Sequence, residues 1–346
     1  MRTARLTVLS VAYPFAPVGP DAVGGAEQIL SELDRMLVEA GHRSLVIACE
    51  GSRTRGELIA HPAPDGDIDQ CRRADTHAAV REAIARTMQC HPVDLVHLHG
   101  VDFPAYLPPP GPPCLITLHL PPESYPPCAL DQSRPNTWFH CVSARQQRAF
   151  PPTEAMLPPV PNGVPVDALS AHRHARRSYV LTLGRICPEK GQHLALRAAH
   201  QAGVALLLAG AVFPYPVHEA YFAEQIVPLL DNRRRWIGAV GFERKRRLLS
   251  AARCLLVPSL IEETASLVAM EALACGTPVI AFPAGALREL VEPGVTGFLV
   301  HDTAAMAEAI GRAGEIDPAA CRRIARERYS LERMTDAYLS RYAALT

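Results

Sequence analysis

Lysine is nearly absent from this chain: of its 35 basic residues only Lys190 and Lys245 are lysines, and the other 33 are arginines. Excess charge is absent too, since 35 acidic residues balance the 35 basic ones, so nothing suggests a general affinity for polyanions. Aromatic residues make up only 6% of the chain, and none interleaves the basic runs His172 to Arg177, Arg233 to Arg235 and Arg244 to Arg247. Those runs therefore lack the stacking platforms of a single-stranded nucleic-acid groove and read as solvated faces. No apolar segment approaches the roughly 20 residues needed to cross a bilayer. The N-terminus, MRTARLTVLSVAYPFAP, has two arginines and a short apolar run but neither a longer apolar core nor a cleavage site, so it reads as a first strand. There is no GxGxxG, which disfavours a dinucleotide site. No CxxC is present, and ten cysteines lie scattered, several inside apolar strands where a thiol behaves as a small hydrophobe. That usage fits a reducing cytoplasm.

What is present is an alternation of apolar strands and helices over 346 residues, more than one core normally supports. Strands are expected at Leu6 to Ala12, Ser44 to Cys49, Leu95 to His99, Cys114 to His119 and His140 to Ser143, with helices at Ala26 to Ala40 and Ala74 to Gln89. A second series has strands at Tyr179 to Gly184, Ala205 to Ala209, near Trp236, at Leu255 to Val257 and at Val279 to Ala281. Its helices fall at Gln192 to Gln201, Glu219 to Leu230 and Lys245 to Ala251. The alternation predicts an α/β protein with two Rossmann-like, doubly wound domains. Prolines and an Asn-Gly turn at 158–164 mark the hinge, so the expected division is residues 1–160, 165–328 and a terminal helix within 329–346. The proline-dense stretch 107–135 is expected to be extended and exposed, a candidate acceptor wall.

The chemistry concentrates in VPSLIEETASLVAMEALACGTPVIA, residues 257–281. Strand, loop, helix and strand follow one another, so Glu263 hangs in the loop and Glu271 lies one to two turns into the helix. Between them lie the first-turn amides near Ala265, Ser266, Leu267 and Val268, which favour an anion. An elongated ligand with hydroxyls at both ends and a phosphate between them suits this order. In LGRICPEKGQ, Arg185 and Lys190 follow a strand on one short loop, a guanidinium and an ammonium within reach of a diphosphate. Gly24 and Gly25, with Glu27, stand between the first strand and first helix, where backbone can approach a ligand closely. His119 ends a strand, at the carboxyl edge where parallel sheets bind ligands. His97, His99 and His119 have no carboxylate at ligand spacing, so no metal is expected.

These segments resemble the retaining glycosyltransferases of family 4, also described as glycosyl transferases group 1. The match runs through Glu263, Glu271, Ala272, Cys275, Gly276, Thr277, Pro278 and Val279, and through Arg185, Lys190 and Gly191. Ser266 stands where that family usually has Gly. The resemblance implies a GT-B fold, with the two domains facing across a cleft and the terminal helix crossing back to the first domain. It further implies transfer of a hexose-type sugar from a nucleoside diphosphate, UDP being the commoner donor, to an acceptor hydroxyl with retention and without a cofactor or metal. Arg185 and Lys190 would neutralise the diphosphate, Glu271 hold the ribose, Glu263 the sugar, and His119 support the cationic centre. Gly24 and Gly25 would touch the donor phosphate, and Val240 and Gly241 the nucleobase.

Family members that act on lipid carriers usually present a basic helix to the membrane. The counterpart here, AEQILSELDRMLVEAG, carries Glu27, Glu32, Asp34 and Glu39 against Arg35 alone. A soluble small-molecule acceptor (a sugar, glycoside or natural product) is therefore expected, with no nucleic-acid partner and no strong membrane signal. A nucleotide-sugar epimerase or phosphorylase, or a non-catalytic sugar-nucleotide binder, would share the same clamp.

Overall fold

The computed structural model describes residues 5–22, 24–63, 68–171, 174–175 and 177–346. His172, Arg173 and Arg176, part of the first basic run, lie outside the described residues. The chain forms two compact units, one of Met1–Pro161 with Met334–Thr346 and one of Asn162–Arg333.

Among the described residues the first unit holds six strands: β1 (Thr7–Val11), β2 (Arg43–Cys49), β3 (Glu57–His61), β4 (Leu95–Leu98), β5 (Cys114–Leu118) and β6 (Thr137–Cys141). Their order is β3-β2-β1-β4-β5-β6, and every pairing is parallel. Strands such as TVLSV and CLITL are buried along their whole length, as strands covered by helices on both faces must be. The helix Gly25–Glu39 lays Ile29, Leu30, Leu33 and Leu37 on the sheet, and the helix Gln70–Cys90 contributes Val80 and Ile84.

The terminal helix Leu331–Leu345 delivers Tyr338 and Tyr342 to the first unit's core. The Tyr342 hydroxyl lies 2.7 Å from His97 Nδ1, and Thr117 Oγ1 lies 2.7 Å from both His97 Nε2 and His140 Nε2.

The second unit repeats the topology. Its strands are β7 (Tyr179–Leu183), β8 (Ala205–Ala209), β9 (Arg234–Trp236), β10 (Leu255–Val257), β11 (Val279–Ala281) and β12 (Gly297–Leu299), all parallel, in the order β12-β11-β10-β7-β8-β9. Counted from β7, that is the winding of the first unit, with strand order reversing between β7 and β10 as it does between β1 and β4. Ligands of doubly wound sheets bind at the carboxyl ends of the strands flanking such a reversal.

Three expectations need correction. The single helix read over Glu219 to Leu230 is broken: a helix at Pro216–Tyr221, a wide turn at Phe222–Ile226 and a tight turn at Val227–Leu229 replace it, because Pro228 offers no amide to continue the ladder. Glu27 and Asp34 do not face solvent on the first helix; Asp34 is buried and accepts from Ser44 Oγ at 2.6 Å and the Arg55 amide at 2.5 Å. The acids left on the exposed face, Glu32 and Glu39, both pair with Arg35, so the face still carries no basic patch. The other two basic runs are not simply solvated either. Arg234 is buried and pairs with Asp231 at 3.0 Å, while Lys245 and Arg246 are largely covered. No helix among the described residues is long and apolar enough to cross a membrane.

Candidate functional site

In the second unit, the sequence-predicted residues gather at the β7/β10 reversal. Beyond β7 the chain passes Gly184 and Arg185, makes a tight turn at Pro188–Lys190 and enters the helix Gln192–Gln201 through Gly191. Gly191 has φ +62°, and a Cβ there would lie 2.2 Å from the Pro258 carbonyl oxygen at the exit of β10. Only glycine fits both the left-handed backbone and that approach. The Leu260 amide donates to the Glu189 carbonyl at 2.8 Å, so the two loops that flank the reversal are fastened together.

That fastening brings Lys190 to Glu263. Lys190 Nζ lies 2.6 Å from Glu263 Oε1, which also accepts from Ser259 Oγ at 2.6 Å. The Arg185 guanidinium stands 5.6 Å from the centre of the Phe213 ring, a cation-π contact that holds it beside the same loop. Its carbonyl accepts from Gln192 Nε2 at 2.8 Å.

The helix Leu267–Ala274 starts at Ser266, which has extended backbone and makes no side-chain cap. The first amides that donate within the helix are those of Ala269 and Met270, to the Ser266 carbonyl, so the amides of Leu267 and Val268 are the free donors of its first turn. One turn on, Glu271 is buried and its Oε1 takes a hydrogen bond from Lys245 Nζ of the helix Phe242–Ala251. Its Oε2 is buried with no partner. Burial raises the Glu271 carboxyl above its ordinary range, opposed by the Lys245 charge. Gly241 caps the helix that carries Lys245, so Val240 and Gly241 lead directly into the residue paired with Glu271.

Both lysines of the chain thus pair with glutamates of the acidic motif, Lys190 with Glu263 and Lys245 with Glu271. Lys245 is the residue that sequence reasoning missed, and the signal available was its rarity. Ser259 and Phe213 carried no comparable signal.

The first unit presents a separate set at its own strand ends. Gly24 caps the helix Gly25–Glu39, and Glu27 folds back so closely that a Cβ on Gly24 would lie 1.8 Å from its Oε2. Burial raises the Glu27 carboxyl, with its backbone amide opposing. His119, just past β5, lies 3.1 Å through Nε2 from Nδ1 of His99, just past β4. Burial lowers the His119 imidazole to about 4. His99 Nε2 is buried without a partner. Only one convergence of His, Cys and carboxylate groups fit for a metal occurs among the described residues, Cys187 with Glu189 and His218; His97, His99 and His119 do not form one.

Two family patterns match the chain: "Glycosyl transferases group 1" over residues 177–315 and "Glycosyltransferase Family 4" over residues 23–156. A curated relative, the D-inositol 3-phosphate glycosyltransferase of Mycolicibacterium smegmatis, is 34% identical over 175 residues, which is 47% of this chain and 39% of that protein. The corresponding protein of Mycobacterium tuberculosis is 33% identical over 196 residues, 52% of this chain and 38% of its own length. The matched segments therefore span about two fifths of these relatives. Among solved structures, AviGT4, a glycosyltransferase involved in avilamycin A biosynthesis, is 25% identical with a TM-score of 0.73, covering 98% of both chains. HepE of Anabaena, solved with UDP and glucose, is 20% identical with a TM-score of 0.77, covering 99% of this chain and 100% of its own, and shows the fold alone. The α/β fold class of two Rossmann-like domains expected from the sequence is the one observed, in company with GT-B neighbours.

Proposed function

Since the chain belongs to the glycosyltransferase family 4, or group 1, proteins, we propose that it moves a hexose-type sugar from a nucleoside diphosphate, UDP by preference, to a hydroxyl of a soluble acceptor with retention of configuration. The carrying observation is the paired cluster at the β7/β10 reversal: Lys190 on Glu263, Lys245 on Glu271, and the unpartnered Oε2 of Glu271. A buried carboxylate oxygen without a donor is costly unless a ligand supplies one, and ribose hydroxyls would do so. Glu263, held by Lys190 and Ser259, would accept from the sugar hydroxyls.

Arg185 and Lys190 would stabilise the charge that grows on the departing diphosphate, with the amides of Leu267 and Val268 adding their dipoles. Such stabilisation needs no metal in the chemical step. Val240 and Gly241 would border the base, Gly24 and Gly25 the donor phosphate, and His119, whose burial keeps it neutral at pH 7, the sugar. Ser266 would offer its amide in place of the family's glycine, at the price of a side chain close to the phosphate.

AviGT4's part in avilamycin A biosynthesis supports an acceptor of the natural-product class. The acidic exposed face of the helix Gly25–Glu39 agrees with that acceptor class. Ten free cysteines support a reducing compartment, the cytoplasm. The test is incubation of the protein with UDP-hexoses and a library of soluble polyols, glycosides and natural-product scaffolds, with products read by mass spectrometry and anomeric configuration by NMR. A retained-anomer glycoside supports the proposal. An epimer or sugar phosphate formed without acceptor would replace it with an epimerase or phosphorylase, and tight nucleotide binding with no product would replace it with a binding protein.

A further inference from the structure

Cys187 and Glu189, on the loop that carries Arg185 and Lys190, converge with His218, and none of the three has a part in the proposed transfer. One potential ligand atom from each lies within 4.8 Å of the other two. Cys187 is fully buried at the start of the turn Pro188–Lys190, and Glu189 is the exposed middle residue of that turn. His218 comes from elsewhere, the helix Pro216–Tyr221, and is 6% exposed. The Tyr215 and Phe213 rings, at 5.2 and 6.4 Å, fix its imidazole in place. Its Nδ1 is buried and has no hydrogen-bond partner, an open acceptor or donor that the protein leaves unused.

We infer that these three side chains form a site for a zinc-class divalent cation that ties the clamp loop to the helix Pro216–Tyr221. Thiolate, imidazole and carboxylate are the donor set that zinc selects, and three protein ligands leave a fourth position for water. Tetrahedral bonds of about 2.0 to 2.3 Å place ligand atoms about 3.3 to 3.6 Å apart, so closing the site asks each for a shift of at most about an ångström. Glu189 is the exposed member and has the freedom to make it. On binding, the Cys187 Sγ–H bond breaks, its proton leaves to solvent and sulfur keeps the electron pair as a new S–metal bond forms. One thiolate and one carboxylate then offset the two positive charges, so the site becomes neutral where the Glu189 carboxylate alone had carried one negative charge beside Arg185. The site is independent of the transfer reading: it would hold its ion whatever the second unit binds.

Cobalt(II) is the probe, added to chelator-treated full-length protein while the near-ultraviolet thiolate-to-cobalt charge-transfer band is followed. The expected result is a saturable band at one cobalt per chain, displaced by zinc, absent in Cys187→Ser and requiring at least about tenfold more cobalt in His218→Gln. The exposed thiols Cys71, Cys90 and Cys128 are the competing sources. A wild-type protein without the band overturns the inference whether or not the variants fold. So does a band undiminished in Cys187→Ser, which assigns it to those thiols, or a His218→Gln protein with unchanged affinity.

Discussion

Replacing Lys245 by methionine should expose how firmly Glu271 is committed to the site. Methionine keeps most of the apolar stem and removes the one charge bonded to Glu271, whose side chain is 5% exposed against 18% for that of Lys245. Breaking a buried pair by deleting one partner costs about 3–5 kcal/mol, because the survivor is left charged in a poor solvent. Lys245 retains some contact with water, so the lower end, about 3 kcal/mol, is expected. The penalty must depend on pH. Glu271 already has a raised carboxyl in the folded protein, and without Lys245 nothing opposes the rise. A carboxyl raised by folding weighs against the fold at high pH, where it is ionised, and ceases to do so once pH falls through its folded value towards the ordinary one near 4.5. Urea unfolding of wild type and Lys245→Met at a series of pH values should therefore show a gap that is widest at neutral pH and narrows in acid. The double change Lys245→Met with Glu271→Gln should recover much of the loss. A gap below about 0.5 kcal/mol, or one that ignores pH, would refute the reasoning, since exposed pairs behave in that way.

Removal of Lys190 should act more on ligand than on stability, because its side chain is 31% exposed and its partner keeps the Ser259 hydroxyl; calorimetry on Lys190→Met should show at least about a tenfold loss of UDP affinity. Gly191→Ala should cost about 1–3 kcal/mol by denaturant unfolding and lower nucleotide affinity with it, since the methyl meets the Pro258 carbonyl at 2.2 Å on a backbone at φ +62°. The buried histidines make the first unit acid-sensitive. Burial lowers His119 to about 4 and His140 to about 3, so each favours the fold in neutral form, fully above pH 6.5, and loses that contribution as pH falls through 6.5 towards those values. His119 alone accounts for about 3 kcal/mol at 1.36 kcal/mol per unit. Circular dichroism should record the loss in that window, and a first unit as stable at pH 3.5 as at pH 7 would contradict it.

Sequence periodicity located the strands at the centre of each sheet because they are short, largely apolar runs with turn residues on both sides. It missed β3, an edge strand whose burial follows no period of two (Glu57 and Ala60 exposed, Leu58 and Ile59 half-buried, His61 buried), and β12, three residues hidden behind a glycine turn. The helix start at Ser266 and the depth of Glu271 followed from local spacing alone. Pairings across elements did not: Lys245 reaches Glu271 from another helix, and His218 meets Cys187 from the helix Pro216–Tyr221. One-dimensional spacing holds no record of such meetings. Lys245 was absorbed into an arginine-rich run, which spacing could only read as a solvated face.

The central claim is that the loops around β7 and β10 grip a nucleoside diphosphate by Arg185 and Lys190 while Glu271 holds the ribose. The most direct measurement is UDP-glucose binding by calorimetry to wild type, Arg185→Ala with Lys190→Ala, and Glu271→Gln, each checked for an intact fold. The account predicts at least about a hundredfold loss in the first variant and a clear loss in the second, from charge-assisted bonds of about 1.5–3 kcal/mol each. Wild-type affinity in a folded Arg185, Lys190 double variant would contradict it.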